Sequence, residues 1–195
     1  MKKLIISAAA LSLVAVATHS NGQGTVNFNS STSPTFCITS NQLTGVTARI
    51  TPSQYTFGLY FASSAAGLSD SSLAPVLTVT GAGFPGSISG NSALPVPGIP
   101  NGTFFFEVKG WTTTAGNSYS SALAAAQTDN TIFVGSSAIG QVTLGHDNVP
   151  AGVIFGNIPG TTVASPVLFN VVPEPSTMVL GGLGVAALAF FRRRK

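Results

Sequence analysis

Charge is what this chain has least of. Asp, Glu, Lys and Arg make up 7% of its 195 residues, against about a quarter in ordinary soluble proteins. Six of the eight cations stand at the ends: Lys2 and Lys3 open the chain, and Arg192, Arg193, Arg194 and Lys195 close it. Between them only Arg49 and Lys109 stand against Asp70, Glu107, Asp129 and Asp147 in the body and Glu174 in the tail. The formal net charge of +3 is therefore a property of the termini, and the body is slightly acidic. A nucleic-acid partner needs a basic face that displaces counterions. This body cannot build one, so nucleic acid is excluded.

Cysteine is nearly absent as well. Cys37 is the only one, so no intramolecular disulfide can form. Its setting, "TFCIT", reads as a strand interior, where a buried inert thiol is expected over an intermolecular or reactive one. With so few His, Cys and acids, zinc and redox metals have no ligand cluster. What the chain has instead is Gly, Ser, Thr, Asn and Pro, a neutral surface of hydroxyls and amides that is poor for electrostatic steering.

The two ends carry pattern. Residues 1–22 combine two lysines, an apolar run from Leu4 to Ala17, and small polar residues, the layout of a secretory signal peptide. Cleavage after Ala17 fits the small-x-small rule ("AVA"); cleavage after Ser20 or Gly22 is the alternative. The run is short for a membrane anchor, so residues 23–172 are expected to be exported as the folded body. At the other end, residues 177–191 contain no charge and no proline. As a helix they would span about 22 Å, less than the ~30 Å hydrocarbon layer, with flanking Arg and Lys snorkelling to the interface. The positive-inside rule keeps the cluster Arg192, Arg193, Arg194 and Lys195 cytoplasmic. One crossing with the body outside satisfies both ends.

Elementary physics leaves Pro173-Glu174-Pro175 unexplained. Two prolines remove donors and favour extended geometry, which suits a recognition handle and a plain linker equally. Together with the short apolar helix and the terminal basic cluster, this tripeptide resembles the three-part PEP-CTERM sorting signal over residues 173–195. The resemblance implies recognition and processing by exosortase, a transpeptidase-like membrane enzyme. It further implies release or re-anchoring at the cell surface and association with exopolysaccharide, biofilm and floc. The order, spacing and position of the three parts all agree. From "GTVNF" through "EVKGWTTTAGNSYSSAL" the chain also resembles a recurring class of PEP-CTERM surface proteins, a likeness that implies no activity.

The body alternates short β-rich runs with turn residues. The runs begin at residues 25, 35, 45, 55, 75, 103, 131, 141, 152 and 167. Ten of them, punctuated by Gly, Pro, Asn and Ser, predict an all-β sandwich, jelly-roll or immunoglobulin-like. One helix is expected within 118–127, "SYSSALAAAQ", as a short crossover. Residues 81–102 read as loop. Period two puts Tyr55, Phe57, Leu59 and Phe61 on the core side of their strand. In "TFFFEVKGWT", Phe104, Phe106 and Val108 share one face, while Phe105, Glu107, Lys109 and Trp111 share the other. An exposed Trp111 beside Tyr119 would suit stacking on a sugar ring. The competing expectation is a Trp covered by the following loop or helix.

Catalytic patterns are thin. "GAGFPG" at 81–86 satisfies G-x-G-x-x-G, but the following "SISGNSALPVPG" cannot supply the helix that a dinucleotide site requires. His146 beside Asp147 has no nucleophile elbow and reads as a surface loop. Asp70, Glu107, Asp129 and Asp147 leave a glycosidase pair open, since sequence cannot measure their separations. Asp129-Asn130 and Asp147-Asn148 could offer oxygens to calcium, without a D-x-D-x-D run. Asn29 and Asn101 head N-x-S/T sequons. The expectation is therefore a non-enzymatic surface or matrix protein without a cofactor. A carbohydrate-binding module is the alternative, and a secreted polysaccharide hydrolase the third reading.

Overall fold

The computed structural model describes residues 23–30, 36–70, 72–80, 84–90, 92–146 and 148–171. The expected signal peptide, the apolar run 177–191 and the basic cluster lie outside the described residues. Eleven strands are present among them: β1 (Gln23–Asn27), β2 (Ile38–Ser40), β3 (Thr47–Arg49), β4 (Tyr55–Ala62), β5 (Leu77–Thr80), β6 (Leu94–Pro100), β7 (Thr103–Thr112), β8 (Phe133–Ser136), β9 (Gly140–Thr143), β10 (Gly152–Val153) and β11 (Val167–Asn170). The helix α1 (Tyr119–Ala126) lies between β7 and β8. The described residues are thus all-β with one short α-helix, as the periodicity of the body predicts.

The strands form two sheets. The larger runs β3-β2-β11-β8-β7-β4-β5, with β9 also on β7, and the smaller runs β10-β1-β6. Neighbours are antiparallel except β2–β11 and β1–β10, which are parallel. The longest ladder joins β4 to β7 through eight consecutive pairs, from Tyr55↔Thr112 to Ala62↔Phe105. β8 pairs with the end of β7 at Lys109–Trp111, and β9 with its start at Thr103–Phe106.

One core joins the two sheets. Val26 and Val96 come from the smaller sheet; Phe57, Leu59, Phe106, Val108 and Leu168 come from the larger, all of them fully buried. Phe28 and Phe155 stack with centroids 5.4 Å apart. The inward face read from period two is thereby realised: Tyr55, Phe57, Leu59 and Phe61 all belong to this core. Gly110 fits because an added Cβ there would meet Phe57 Cε1 at 2.7 Å and Leu168 Cδ2 at 2.8 Å. A side chain at this central position would push two core residues apart.

Two expectations need correction. The segment read as loop contains β6, an edge strand whose Val96 is buried while Pro95 and Pro97 are exposed. Proline density hid it, yet an edge strand can spare the donors that prolines lack. The helix is also no crossover between parallel strands, since β7 and β8 are antiparallel neighbours. It is an excursion that folds back over the outer face of the larger sheet. Ser118 caps it, its Oγ accepting from Ser121 N at 3.2 Å. The alanine run carries it, and it ends where Thr128, Asp129 and Asn130 favour turns over helix. No helix among the described residues is long and apolar enough to cross a membrane.

Cys37 lies in the main core, fully buried, its Sγ donating to the Pro166 carbonyl at 2.9 Å. Burial pushes its pKa up to about 12. The protonated thiol therefore contributes stability that is full below the unfolded value of about 8.5 and is lost as pH rises towards the folded value. At pH 8 a thiol-specific chromogenic reagent should leave the native thiol untouched over a period in which it modifies the urea-unfolded chain completely. Rapid modification of the folded protein would show the site to be open.

Candidate functional site

The sorting residues Pro173, Glu174 and Pro175 lie outside the described residues, but the strand that delivers them does not. β11 sits inside the larger sheet between β2 and β8, and Val171 and Val172 alone separate its last residue from Pro173. Covalent geometry limits three residue steps to about 11 Å. Asn170 holds the end of this strand. Its side chain is buried; Oδ1 accepts from Gln42 N at 2.7 Å, and Nδ2 donates to Asn130 O at 3.1 Å and Asn41 Oδ1 at 3.3 Å. The strand end from which the chain leaves towards Pro173 is thus the place where two turns are tied to the final strand.

Trp111 corrects the stacking expectation. Period two puts it on the outer face as predicted, but its ring is 0% exposed. It packs with Ala122, Ala126, Ile132 and Val134 in a second core beneath α1. Its Nε1 donates to the Gly116 carbonyl at 2.9 Å, in the turn that reverses the chain into the helix. Burying about 200 Å² of indole is worth about 5 kcal/mol before entropy is counted, so this residue anchors the helix and offers no face to a sugar. Tyr119 is half-buried, with its ring T-shaped against Trp111 at 6.3 Å.

The remaining residues of that face form the densest chemistry among the described residues. Lys109 Nζ lies 3.3 Å from Glu107 Oε2, with side-chain exposures of 15% and 13%. It donates to Leu68 O at 3.4 Å and sits 4.8 Å from the Tyr60 ring centroid and 5.5 Å from that of Tyr119. Leu68 belongs to the 3-10 turn Ala65–Ser69, and Tyr119 opens α1. One ammonium therefore pins both covering segments to the sheet. Burial pushes the Tyr60 phenol up to about 12, against the opposing hydrogen bond from the Tyr119 backbone. Burial, and then the Glu107 charge, also raise Tyr119. Beside this cluster lies a cavity of about 270 Å³ lined by Tyr60, Asp70, Ser72, Lys109, Tyr119 and Ser120, among others. The arrangement offers hydrogen-bonding groups and an aromatic wall.

Sequence reasoning marked Glu107, Lys109 and Tyr119 but missed Tyr60 and Asp70 as their neighbours. The available signal was Tyr60 on the outward face of its strand, where it pairs with Glu107. That pairing becomes visible only once β4 is known to lie on β7.

The other candidates disperse. Glu107 is engaged by Lys109, and Asp147 lies outside the described residues. Asp129 Oδ1 accepts from Thr131 N and Oγ1 at 2.8 and 2.6 Å, which lowers its pKa. The Asn130 carbonyl is taken by Asn170. No group of three His, Cys, Asp or Glu converges among the described residues. His146 stands in a tight turn, its carbonyl accepting from Val149 N at 2.6 Å. Beyond Gly86 the chain enters an isolated bridge and then β6, so no helix follows the glycine motif.

The Lys109–Glu107 pair is neither exposed nor fully dry. Exposed pairs contribute at most about 1 kcal/mol, whereas breaking a buried one costs about 3–5 kcal/mol. Lys109→Met should therefore lower unfolding free energy by about 2 kcal/mol in urea titrations. The added Glu107→Gln change should recover part of that loss. Independent, additive losses would show that the two charges are not coupled.

No curated protein and no solved structure matches the chain. A family model does: residues 171–195 match the PEP-CTERM protein-sorting motif. The match begins on Val171, the residue after β11 ends, and covers the tripeptide, the apolar run and the basic cluster. Such a motif indicates sorting of an exported protein and implies processing by an exosortase-type membrane enzyme. The folded β-rich body therefore leads, within one residue of its last core strand, into a segment that matches the PEP-CTERM protein-sorting motif.

Proposed function

We propose that this is a non-catalytic, cofactor-free protein of the cell surface or extracellular matrix, associated with exopolysaccharide. The body is read as a β-sandwich, two sheets around one core, exported behind the leader in residues 1–22. It is held at the membrane through residues 177–191 until the tail is processed. The observation that carries this reading is the sorting motif at residues 171–195, placed directly after a core strand. The body fits such a destination. It is poor in charge, and its surface bonding is done by hydroxyl pairs such as Thr103–Thr143 at 2.8 Å and Thr56–Thr113 at 3.0 Å. A neutral, hydroxyl-rich surface makes short hydrogen bonds to a hydrated polymer without depending on salt. A carbohydrate-binding module is the second reading, favoured by the cavity beside Tyr119. The hydrolase reading loses support where Lys109 occupies Glu107.

The test is fractionation of the native cells. The wild-type chain should appear in the surface and matrix fractions, whereas Glu174→Ala should accumulate in the membrane fraction with its tail uncleaved. Identical distributions for the two would remove the sorting step from the account.

A further inference from the structure

We propose that the cavity between the outer face of β4–β7 and the start of α1 is a binding subsite for one neutral pyranose unit of a polysaccharide. The proposal rests on the surface-association reading and gives it a place on the molecule. Of the five charged side chains among the described residues, Asp70 and Lys109 line this cavity and Glu107 is paired with Lys109 behind it; Tyr60 and Tyr119, two of the three tyrosines, line it as well. The other two charges are committed elsewhere: Arg49 lies over the Phe36 ring at 4.0 Å, and Asp129 binds Thr131. A body with so few ionic groups sets two of them in the wall of one cavity and a third against that wall.

The signs of those charges select the ligand. Lys109 is neutralised by Glu107, and Asp70 adds a carboxylate at the rim, kept ionised by the Ser72 hydroxyl and N–H. An anionic ligand would meet the unneutralised Asp70 carboxylate. A neutral polyhydroxylated ring avoids that penalty and supplies donors and acceptors together.

The hydrogen-bonding capacity matches that ligand. Asp70 Oδ1 takes both Ser72 N at 2.8 Å and Ser72 Oγ at 2.7 Å, and its Oδ2 has no partner among the described residues. Ser120 Oγ has one contact, to Ser118 Oγ at 3.2 Å. Exposed carboxylate and serine oxygens thus stand around a half-buried tyrosine ring. The ring is held by Trp111 behind it, so it loses little freedom on forming the wall of a site. The volume of about 270 Å³ is below the ~300–1,000 Å³ of drug-sized pockets. It suits one sugar ring of a polymer that continues past the rim, where Asp70 and Ser120 are exposed.

The chain contains its own reporter. Trp111 is the only tryptophan, and it touches the cavity through Tyr119. The full-length protein in mild detergent would be titrated with cello-, malto-, xylo- and manno-oligosaccharides, and with oligogalacturonate as the anionic probe. Trp111 emission and isothermal calorimetry would follow binding. At least one neutral oligosaccharide should give a saturable change, with Kd on the order of 1 mM. Asp70→Ala and Tyr119→Leu should each weaken it at least about tenfold while thermal melting confirms that the variants are folded. No saturation by any neutral sugar would overturn the subsite, as would binding of oligogalacturonate alone or affinity unchanged in both folded variants. Matrix retention of the Asp70→Ala chain in cells separates the two levels. If retention persists while no neutral sugar binds, the subsite is wrong and the surface reading stands.

Discussion

The pairing of β4 with β7 is the constraint on which the rest depends. Eight consecutive residue pairs lock the two strands, and neither strand has a free face. Inward, Phe57, Leu59, Phe106 and Val108 make the main core; outward, Tyr60 and Trp111 are buried beneath the Ala65–Ser69 turn and α1. A one-residue slip would exchange these two sets. It would set the Lys109 and Glu107 charges into a core of phenylalanines, where unpaired burial costs far more than a marginal fold can lose. Register is therefore enforced from both sides, and the outer cluster is a consequence of it.

That double burial explains what was legible in the sequence. All ten β-rich runs became strands, because period two survives wherever one face is buried. β6 was hidden because its prolines are disqualifying for a central strand and harmless on an edge. Trp111 was assigned to the correct face, but alternation reports direction, and exposure depends on what covers that face. Tyr60 and Asp70 could not be joined to Lys109 from sequence, since they come from three segments brought together only by the ladder and its cover. The sorting signal was legible because its three parts are contiguous and need no fold to be recognised.

Delivery and folding meet at Asn170. Its buried amide ties the turns at Asn41–Gln42 and Asn130 to the last strand, and the sorting tripeptide starts three residues later. An enzyme acting on that tripeptide works against a folded domain at most about 11 Å away. The fold thus leaves at most two residues between its last strand and the tripeptide.

The most direct measurement is the intact mass of the protein recovered from its native cells, with peptide mapping of both ends. The account predicts a chain that begins between Thr18 and Gln23 and ends near Pro173-Glu174-Pro175. A mature chain that still ends in Arg194-Lys195 would contradict it and leave the tail as an ordinary membrane anchor.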